Sequence, residues 1–450
     1  MNKNLKYSIK DGIASSIIEG AGDRYIPPFA IAMNASANQI GLLSSLPNLI
    51  APFMQLHAAN LLKKYNRKRI VLISILVQAL MWLPIAFIPF FFDKNNIGVW
   101  FIILFYVICF SAGKFYIPVW NSWMKDLVPK EEIGRFFGKR NAIYTFVLLS
   151  VVILASLFLD FFKNGEILGI EIVLICFGIL FLIAMISGIV DMYILYKQHE
   201  PKFEYDSKSY FSLYDFVKRM KDSNFGRFVL YLSLFSLSVN MAGPFFAMYM
   251  LNELKFSYMT YMMMTVAASL AIIIFMPVWG RIADKYGTII VLKACGIIVG
   301  AFPILFLFSK NAAFLFLVNA FSGFGWAGFN LCAANFVYDV AKREKIALCV
   351  TYQNIFSGVG IFLGATIGGL LVTMPRFRLL GSVFLFIFLI SAIARLLLTY
   401  IFWDKFKEVR KVEEKPVLEI MGASLMSSMD VFASVNNKLH EKLIKRIKRA

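Results

Sequence analysis

The sequence contains few charged residues: Asp, Glu, Lys and Arg make up 16% of its 450 residues, whereas a soluble globular domain carries about a quarter. Hydrophobic residues make up 59% of the chain. Apolar runs of about 20 residues, the length at which a helix spans a bilayer, recur along it. This composition argues against an ordinary soluble domain and predicts an integral membrane protein.

Histidine and cysteine, which often act as catalytic groups or metal ligands, are also scarce. The sequence has three scattered histidines and five cysteines, none of them in a CxxC pair. It contains no HExxH, GxSxG or Walker A pattern. These absences argue against a metal centre, a disulfide framework, a hydrolase and an ATP-driven pump. We therefore predict that the protein is not an enzyme and has no cofactor.

The net charge of +19 is distributed in a way that predicts the membrane topology. Twelve apolar spans lie between residues 9 and 403, so both termini fall on one side. The N-terminus and every second loop contain 25 Lys and Arg, and the opposite loops contain 6. Since basic loops stay inside the cell, both termini are predicted to be cytoplasmic. No nucleic-acid recognition module accompanies the charge, so the expected partner is the lipid bilayer and not nucleic acid.

The octapeptide GRIADKYG at 280–287 lies between two apolar stretches, each long enough to span a bilayer. It resembles the loop signature G-x-L-A-D-R-x-G of major facilitator superfamily transporters. Gly280 and Gly287 bracket a tight connection, and Arg281, Asp284 and Lys285 supply charge at a membrane–water boundary. The resemblance implies an all-α membrane fold with twelve transmembrane helices in two pseudo-symmetric six-helix bundles.

A weak internal repeat supports this resemblance. WMKDLVPKEEIGRFFGKRN, which contains Asp126, has its counterpart 213 residues later in FVYDVAKREKIALCVTYQN, which contains Asp339. The loop signature is degraded in the first copy, ANLLKKYNRK at 59–68. Parallel repeats of this kind are how the transporter fold is built. The predicted domains are an N-terminal bundle (1–196), a cytoplasmic linker with an amphipathic helix (197–225), a C-terminal bundle (226–403) and a basic cytoplasmic tail (404–450).

By the same resemblance, the first, fourth, seventh and tenth helices line a central cavity. Charged residues inside the membrane are costly and indicate function. Glu19 and Lys114 each lie 11 residues from the cytoplasmic end of their helix, roughly 16 Å deep, and are predicted to pair. The pair is interpreted either as a substrate or proton site or as a permanent ion pair that fixes packing. The candidate cavity residues are Glu19, Asp23, Arg24, Lys114, Asn240, Asn319, Trp326 and Asn330.

Packing is favoured over ligand contact for the four uncharged candidates, because Asn side chains often bond between helices. Lys293, Asp191 and Arg395 are expected to extend towards the interface. Glycines at 358, 360, 364, 368 and 369 are expected to allow close helix approach.

A cytoplasmic gate is predicted at the loops. Asp284 is expected to accept hydrogen bonds from the start of the fifth helix, where backbone N–H groups carry partial positive charge. In the degraded first copy, Lys63 occupies the position of that aspartate. The candidate gate residues are Gly280, Arg281, Asp284, Lys285, Gly287, Asp126, Arg135, Arg140 and Asp339.

The function predicted from these features is secondary active transport. The protein would be a monomer in the cell membrane that moves a small organic solute by alternating access, coupled to protons. The alternative is a passive channel or a membrane scaffold that does not transport. Glu19, Asp23 and Lys114 favour the first, because a scaffold gains little from buried charge.

Overall fold

The computed structural model describes residues 3–61, 64–92, 96–129, 133–167, 169–201, 213–218, 220–341, 346–374 and 376–410, with a few further residues up to 422. Lys63 and the basic end of the tail at 438–450 lie outside the described residues.

The N-terminal part is helical except for one short hairpin. Its helices are α1 (Lys3–Ala21), α2 (Ile26–Ala32), α3 (Ala37–Leu61), α4 (Arg67–Phe91), α5 (Asn96–Phe115), α6 (Ile117–Leu127), α7 (Ile133–Phe161) and α8 (Ile172–Tyr196). Between α7 and α8, the antiparallel strands β1 (Glu166–Ile167) and β2 (Ile170–Glu171) form a hairpin that the sequence analysis does not predict.

The rest of the described chain is helical as well. A short helix, α9 (Leu213–Lys218), lies in the predicted linker. It is followed by α10 (Asn224–Asn240), α11 (Phe245–Met248), a π-helical turn (Tyr249–Glu253), α12 (Tyr258–Tyr286), α13 (Thr288–Ala301), a 3-10 turn (Phe302–Leu307), α14 (Ala312–Val340), α15 (Ile346–Val372) and α16 (Val383–Ile401).

Ten helices in the described part of the chain are long and apolar enough to cross a membrane. This confirms an all-α, multi-pass membrane architecture. The two predicted spans outside this set, 9–33 and 38–60, fall on α1–α2 and on α3, which are also helical. The count of twelve stays a prediction.

The chain divides into two compact units. Unit 1 comprises residues 1–213, 232–263 and 350–391, and unit 2 comprises 214–231, 264–349 and 392–450. In unit 1, α1 packs on α7 and α8, and α4 packs on α5 and α8. In unit 2, α13 packs on α14.

Glycines on α15 allow close helix packing within unit 1. A Cβ atom at Gly360 would lie 2.1 Å from the carbonyl oxygen of Ser233, and one at Gly364 would lie 2.1 Å from that of Leu237. No side chain fits at these distances, so glycine brings α15 against the backbone of α10. The predicted role of this glycine-rich segment in close helix approach is therefore confirmed.

Candidate transport site

Unit 1 contains a polar cavity of about 120 Å³. It is smaller than a site for a drug-sized ligand, which occupies at least about 300 Å³, and suits the polar group of a solute or a few water molecules. Its walls come from α1, α4, α5, α6 and α7 and are lined by Ser15, Ile18, Glu19, Asp23, Gln78, Phe110, Gly113, Lys114, Tyr116, Ile117 and Tyr144.

A break in the first membrane helix positions the acidic wall. Helix α1 ends at Ala21, and a 3-10 turn over Asp23–Tyr25 leads into α2, which begins with Pro27 and Pro28. Gly22 lies at the break and packs closely on Trp82. A Cβ atom there would lie 2.6 Å from the ring, so only glycine fits at this position. The turn brings the guanidinium of Arg24 back to Glu19, in the last turn of α1.

A second break positions the basic wall. Lys114 lies in the last turn of α5, and α6 begins one residue after Tyr116 with Pro118 in its first turn. Proline has no backbone N–H, so it leaves the carbonyl four residues earlier without a helical donor. That carbonyl belongs to Lys114, and Nε2 of Gln55 donates to it at 2.8 Å. The local sequence thus opens the helix where the cavity lies.

The ion pair within the cavity differs from the predicted one. The guanidinium of Arg24 lies 2.6 Å from Oε1 of Glu19, and the hydroxyl of Tyr144 donates to the other carboxylate oxygen. Lys114 lines the same cavity, but it packs over the ring of Phe110 at 5.1 Å. The predicted Glu19–Lys114 pair is therefore wrong, because the 3-10 turn brings Arg24 nearer. Both residues line one cavity, as their equal depth in the sequence predicted.

Asp23 completes the charge balance of the cavity. Its carboxyl group lies beside Tyr106 of α5, with one oxygen buried. Two carboxylates, Glu19 and Asp23, thus accompany two cations, Arg24 and Lys114. A site with both signs of charge and no large net charge suits a solute that itself carries both signs.

The uncharged candidates make contacts typical of packing. The side-chain amides of Asn240 and Asn319 donate to carbonyls of their own helices, at 2.9 Å to Ser236 and 2.8 Å to Leu315. Trp326 packs on Phe329 at 5.5 Å between ring centroids, and Asn330 is exposed on α14. Asn240 lies in unit 1 and the other three lie in unit 2. Their role in a cavity stays a prediction.

The GRIADKYG segment forms the end of α12 and the turn into α13, with Gly287 at φ +102°. Gly280 lies on α12, and Arg281 and Lys285 are exposed. Asp284, 76% exposed, lies 3.5 Å from the guanidinium of Arg410. The predicted bond from Asp284 to the fifth helix, and with it the gate role, stays a prediction.

The segment after α16 contributes residues that the sequence analysis does not identify. The other guanidinium nitrogen of Arg410 donates to Asp339 at 2.8 Å, and this hydrogen bond raises the pKa of Arg410. Glu408 accepts a hydrogen bond from the backbone N–H of Ile289 at 3.0 Å, at the start of α13. The sequence signal that could have identified them is the presence of two opposite charges, Glu408 and Arg410, shortly after the last apolar span.

In the first repeat, Asp126 pairs with the residue that begins the helix after the loop. The guanidinium of Arg67, at the first position of α4, lies 2.6 Å from Asp126 and 3.7 Å from Glu200. Arg67 is fully buried and also donates to the carbonyls of Ser122 and Pro201.

Arg140 lies in a buried helix interface and not in an exposed loop. Its guanidinium donates to the carbonyl of Ser8 at 3.0 Å and to the carboxylate of Asp11 at 2.8 Å, and it stacks on the ring of Trp120. Helix α7 begins earlier than predicted and places this residue against α1, and its role in the gate stays a prediction. The side chain of Arg135 lies outside the described residues.

Two of the residues expected to extend towards the interface are buried. Asp191 is 0% exposed and accepts a hydrogen bond from Ser15 at 3.2 Å. Arg395 is 1% exposed and donates to the carbonyl of Val299 at 2.9 Å. Lys293 pairs with the exposed Asp404 at 3.6 Å. Asp191 and Arg395 find their polar partners on neighbouring helices, at the hydroxyl of Ser15 and the carbonyl of Val299.

Comparison with known sequences gives one family. The sequence profile described as Major Facilitator Superfamily matches residues 14–232 and again 228–435. The yeast protein named "Vacuolar basic amino acid transporter 1", from Saccharomyces cerevisiae, is 22% identical over 162 residues, which are 36% of this chain. The match spans about a quarter of that relative, 27% of its length.

Solved transporter structures share the fold. The nucleoside transporter NupG superposes with a TM-score of 0.64 at 14% identity, over 90% of this chain and 100% of that one. A bacterial homologue of the iron transporter ferroportin, in an inward-facing state, gives 0.70 at 14% over 90% and 98%. The xylose transporter XylE from E. coli gives 0.62 at 12% over 92% and 100%.

Proposed function

Because the chain belongs to the major facilitator superfamily, we propose that it is a secondary active transporter that moves a small organic solute by alternating access, coupled to protons. The coarser part of this statement, a multi-pass membrane protein of a transporter family, follows from the family and the fold.

The cavity in unit 1 carries the proposal. Three charged side chains, Glu19, Asp23 and Lys114, line a small polar space between helices of unit 1, and Arg24 pairs with Glu19 beside it. Burying charged side chains there costs free energy. A protein with only a passive structural role would gain nothing that offsets this cost. A binding site for a polar solute gives these charges a use, because each can be paired with the solute.

The balance of charge supports a zwitterionic solute, such as an amino acid. An ammonium group would be attracted to Asp23 and Glu19, and a carboxylate to Lys114, whose ammonium has no ion-pair partner within 4 Å among the described residues. The yeast relative is named as a transporter of basic amino acids, which places amino acids first in a substrate screen.

Glu19 is the proposed coupling carboxylate. It is held by Arg24 and Tyr144 when ionised. Protonation would cancel its attraction for Arg24 and free that cation, so the charge presented to the solute would change with the proton. Solute binding and proton binding would then influence each other by the same free energy.

The proposal is tested by flux into liposomes that contain the purified protein, with and without a proton gradient. Thermal shift with a panel of amino acids and organic anions selects the solute. Uptake should exceed the equilibrium level only when a gradient is imposed. Glu19→Gln should abolish this accumulation while solute exchange continues, and Glu166→Gln, at an exposed carboxylate on β1, should behave as the wild type.

The alternative is a passive channel or a scaffold. Accumulation that never exceeds equilibrium would support the channel, and no flux of any bound solute would support the scaffold.

A further inference from the structure

Two carboxylates lie buried in unit 1 on one side of the cavity. Asp11 of α1 is 2% exposed and Asp191 of α8 is 0% exposed. The two helices pack on each other along this face. Ser15, four residues after Asp11 on the same face of α1, donates to Asp191 at 3.2 Å, so both acids face the same short stretch of this helix interface.

Among the described residues, one cation lies beside these two acids. Arg140 of α7 lies 2.8 Å from Asp11. Tyr116, between α5 and α6, faces the same group, and α4 contributes the apolar Ile75 to the adjoining cluster. Two ionised carboxylates would therefore leave one negative charge uncompensated among the described residues, in a region where unpaired charge is costly.

The hydrogen bonds indicate how this charge is compensated. Oδ2 of Asp191 accepts from Ser15, but Oδ1 is buried and has no donor among the described residues. Two ionised carboxylates can only accept hydrogen bonds, whereas one proton between them supplies a donor. The same proton removes the excess charge.

A polar stripe connects this pair to the cavity. Asp11, Ser15 and Glu19 follow at intervals of four residues and lie on one face of α1. Arg140 and Tyr144, also four apart, face them from α7 and bind Asp11 and Glu19 respectively. Ser15 belongs to both sites, since it lines the cavity and donates to Asp191.

We propose that Asp11 and Asp191 share one proton and exchange it with the Glu19 cavity through the hydroxyl of Ser15. In the transfer, the carboxyl group of Asp191 gives its proton to the oxygen of Ser15, and Ser15 gives its own proton to water or to Glu19 in the cavity. The Ser15 hydroxyl first rotates towards the cavity; after the transfer it carries the proton received from Asp191 and donates to Asp191 as it does in the structure. The link to transport rests on the proton coupling proposed above, whereas the shared proton does not.

Infrared difference spectroscopy of the reconstituted protein tests the shared proton without any transport assay. A protonated carboxyl group has a C=O stretch that ionised carboxylates lack and that shifts in D2O. Both Asp11→Asn and Asp191→Asn should lose the same band, because the remaining acid ionises beside Arg140. Glu166→Gln should retain it.

The infrared band in the wild type and in the two variants decides whether the proton is shared. Absence of the band in the wild type, or its loss in only one of the two variants, would overturn the shared proton. If an asparagine variant does not fold, Asp191→Glu retains a carboxyl group and should retain a band at a shifted frequency. Loss of the band in that variant would equally count against the proposal.

Ser15→Ala tests the path. The band should remain, but its shift in D2O should be slower than in the wild type; an unchanged rate would exclude Ser15 as the route. In flux assays, Asp191→Asn should lose dependence on the proton gradient and retain exchange. A wild type without proton-driven flux would refute the proposed function and leave the infrared result standing.

Discussion

In each copy of the repeat an arginine pairs with the equivalent aspartate, Asp126 or Asp339, but the two arginines come from different places in the chain. In the first, Arg67 at the start of α4 pairs with Asp126. In the second, Thr288 occupies the position of Arg67, and its hydroxyl lies 3.3 Å from Asp339. The missing guanidinium comes from Arg410, beyond the last membrane helix.

This difference changes how firmly each region is held. Arg67 is part of a helix, is fully buried, and has several acceptors. Arg410 is 35% exposed and belongs to a segment that follows α16. The first arrangement opens only if helices separate, whereas the second opens if the segment around Arg410 moves away. The loop at 280–287 has the intact signature, but its charge partner Arg410 lies far away in the sequence. An intact signature therefore does not make the loop independent of the rest of the chain.

The largest expected effect is at Arg67. Arg67→Ala should lower the free energy of unfolding by about 3 kcal/mol, because it removes a fully buried guanidinium that donates to two carbonyls as well as to Asp126, which is itself 41% exposed. Unfolding in mixed micelles measures it, and Arg69→Ala, at an exposed position two residues later, is the control. Equal effects of the two changes would show that burial of Arg67 does not distinguish the first repeat.

The next largest loss of stability is expected at the turn between α12 and α13. Gly287→Ala should cost about 2 kcal/mol, because φ is +102° and a Cβ atom would lie 2.7 Å from Glu408. The matching residue of the first repeat, Asn66, has φ −66°, so Asn66→Ala should cost less than about 1 kcal/mol. Similar losses in the two variants would mean that the turns do not differ in strain.

Arg410→Ala should cost about 1 kcal/mol or less, because the pair is partly exposed. Its clearer result should be faster hydrogen exchange at the amide of Ile289, which Glu408 covers. Arg378→Ala, at another exposed arginine, is the control. Unchanged exchange at Ile289 would show that Arg410 does not hold the segment in place.

The stabilisation by Arg410 should not vary between about pH 6 and about pH 8. Its raised pKa means that the contribution is fully present below the ordinary pKa of arginine and is lost only as pH rises through the raised value. Comparison of the wild type with Arg410→Ala at both pH values measures this.

The smallest expected effect is a partial recovery of stability when Thr288→Arg is added to Arg410→Ala. Thr288→Arg places a guanidinium where the first repeat has one, so it should recover part of the stability lost in Arg410→Ala, a fraction of about 1 kcal/mol. In the wild type the same change should give no gain, because Asp339 already has a partner. An equal effect in both backgrounds would break the proposed correspondence of Thr288 with Arg67.

The sequence alone determined the class of the protein. Apolar runs of fixed length follow from the thickness of the bilayer, and GRIADKYG is a local pattern, so both can be identified without a structure. These features predicted the membrane fold and the family, and both are confirmed. Counting residues from the helix ends also placed Glu19 and Lys114 in one cavity.

Only the tertiary structure decided which charges meet. A 3-10 turn of three residues redirected Arg24 to Glu19, and the start of α7 placed Arg140 beside Asp11. Arg410 reached Asp339 from 71 residues away. Pairing depends on distances of a few ångströms between helices that are far apart in sequence, and Coulomb attraction and desolvation change steeply over such distances. Hydropathy fixes that a helix crosses the membrane, but packing fixes its rotation and its partners.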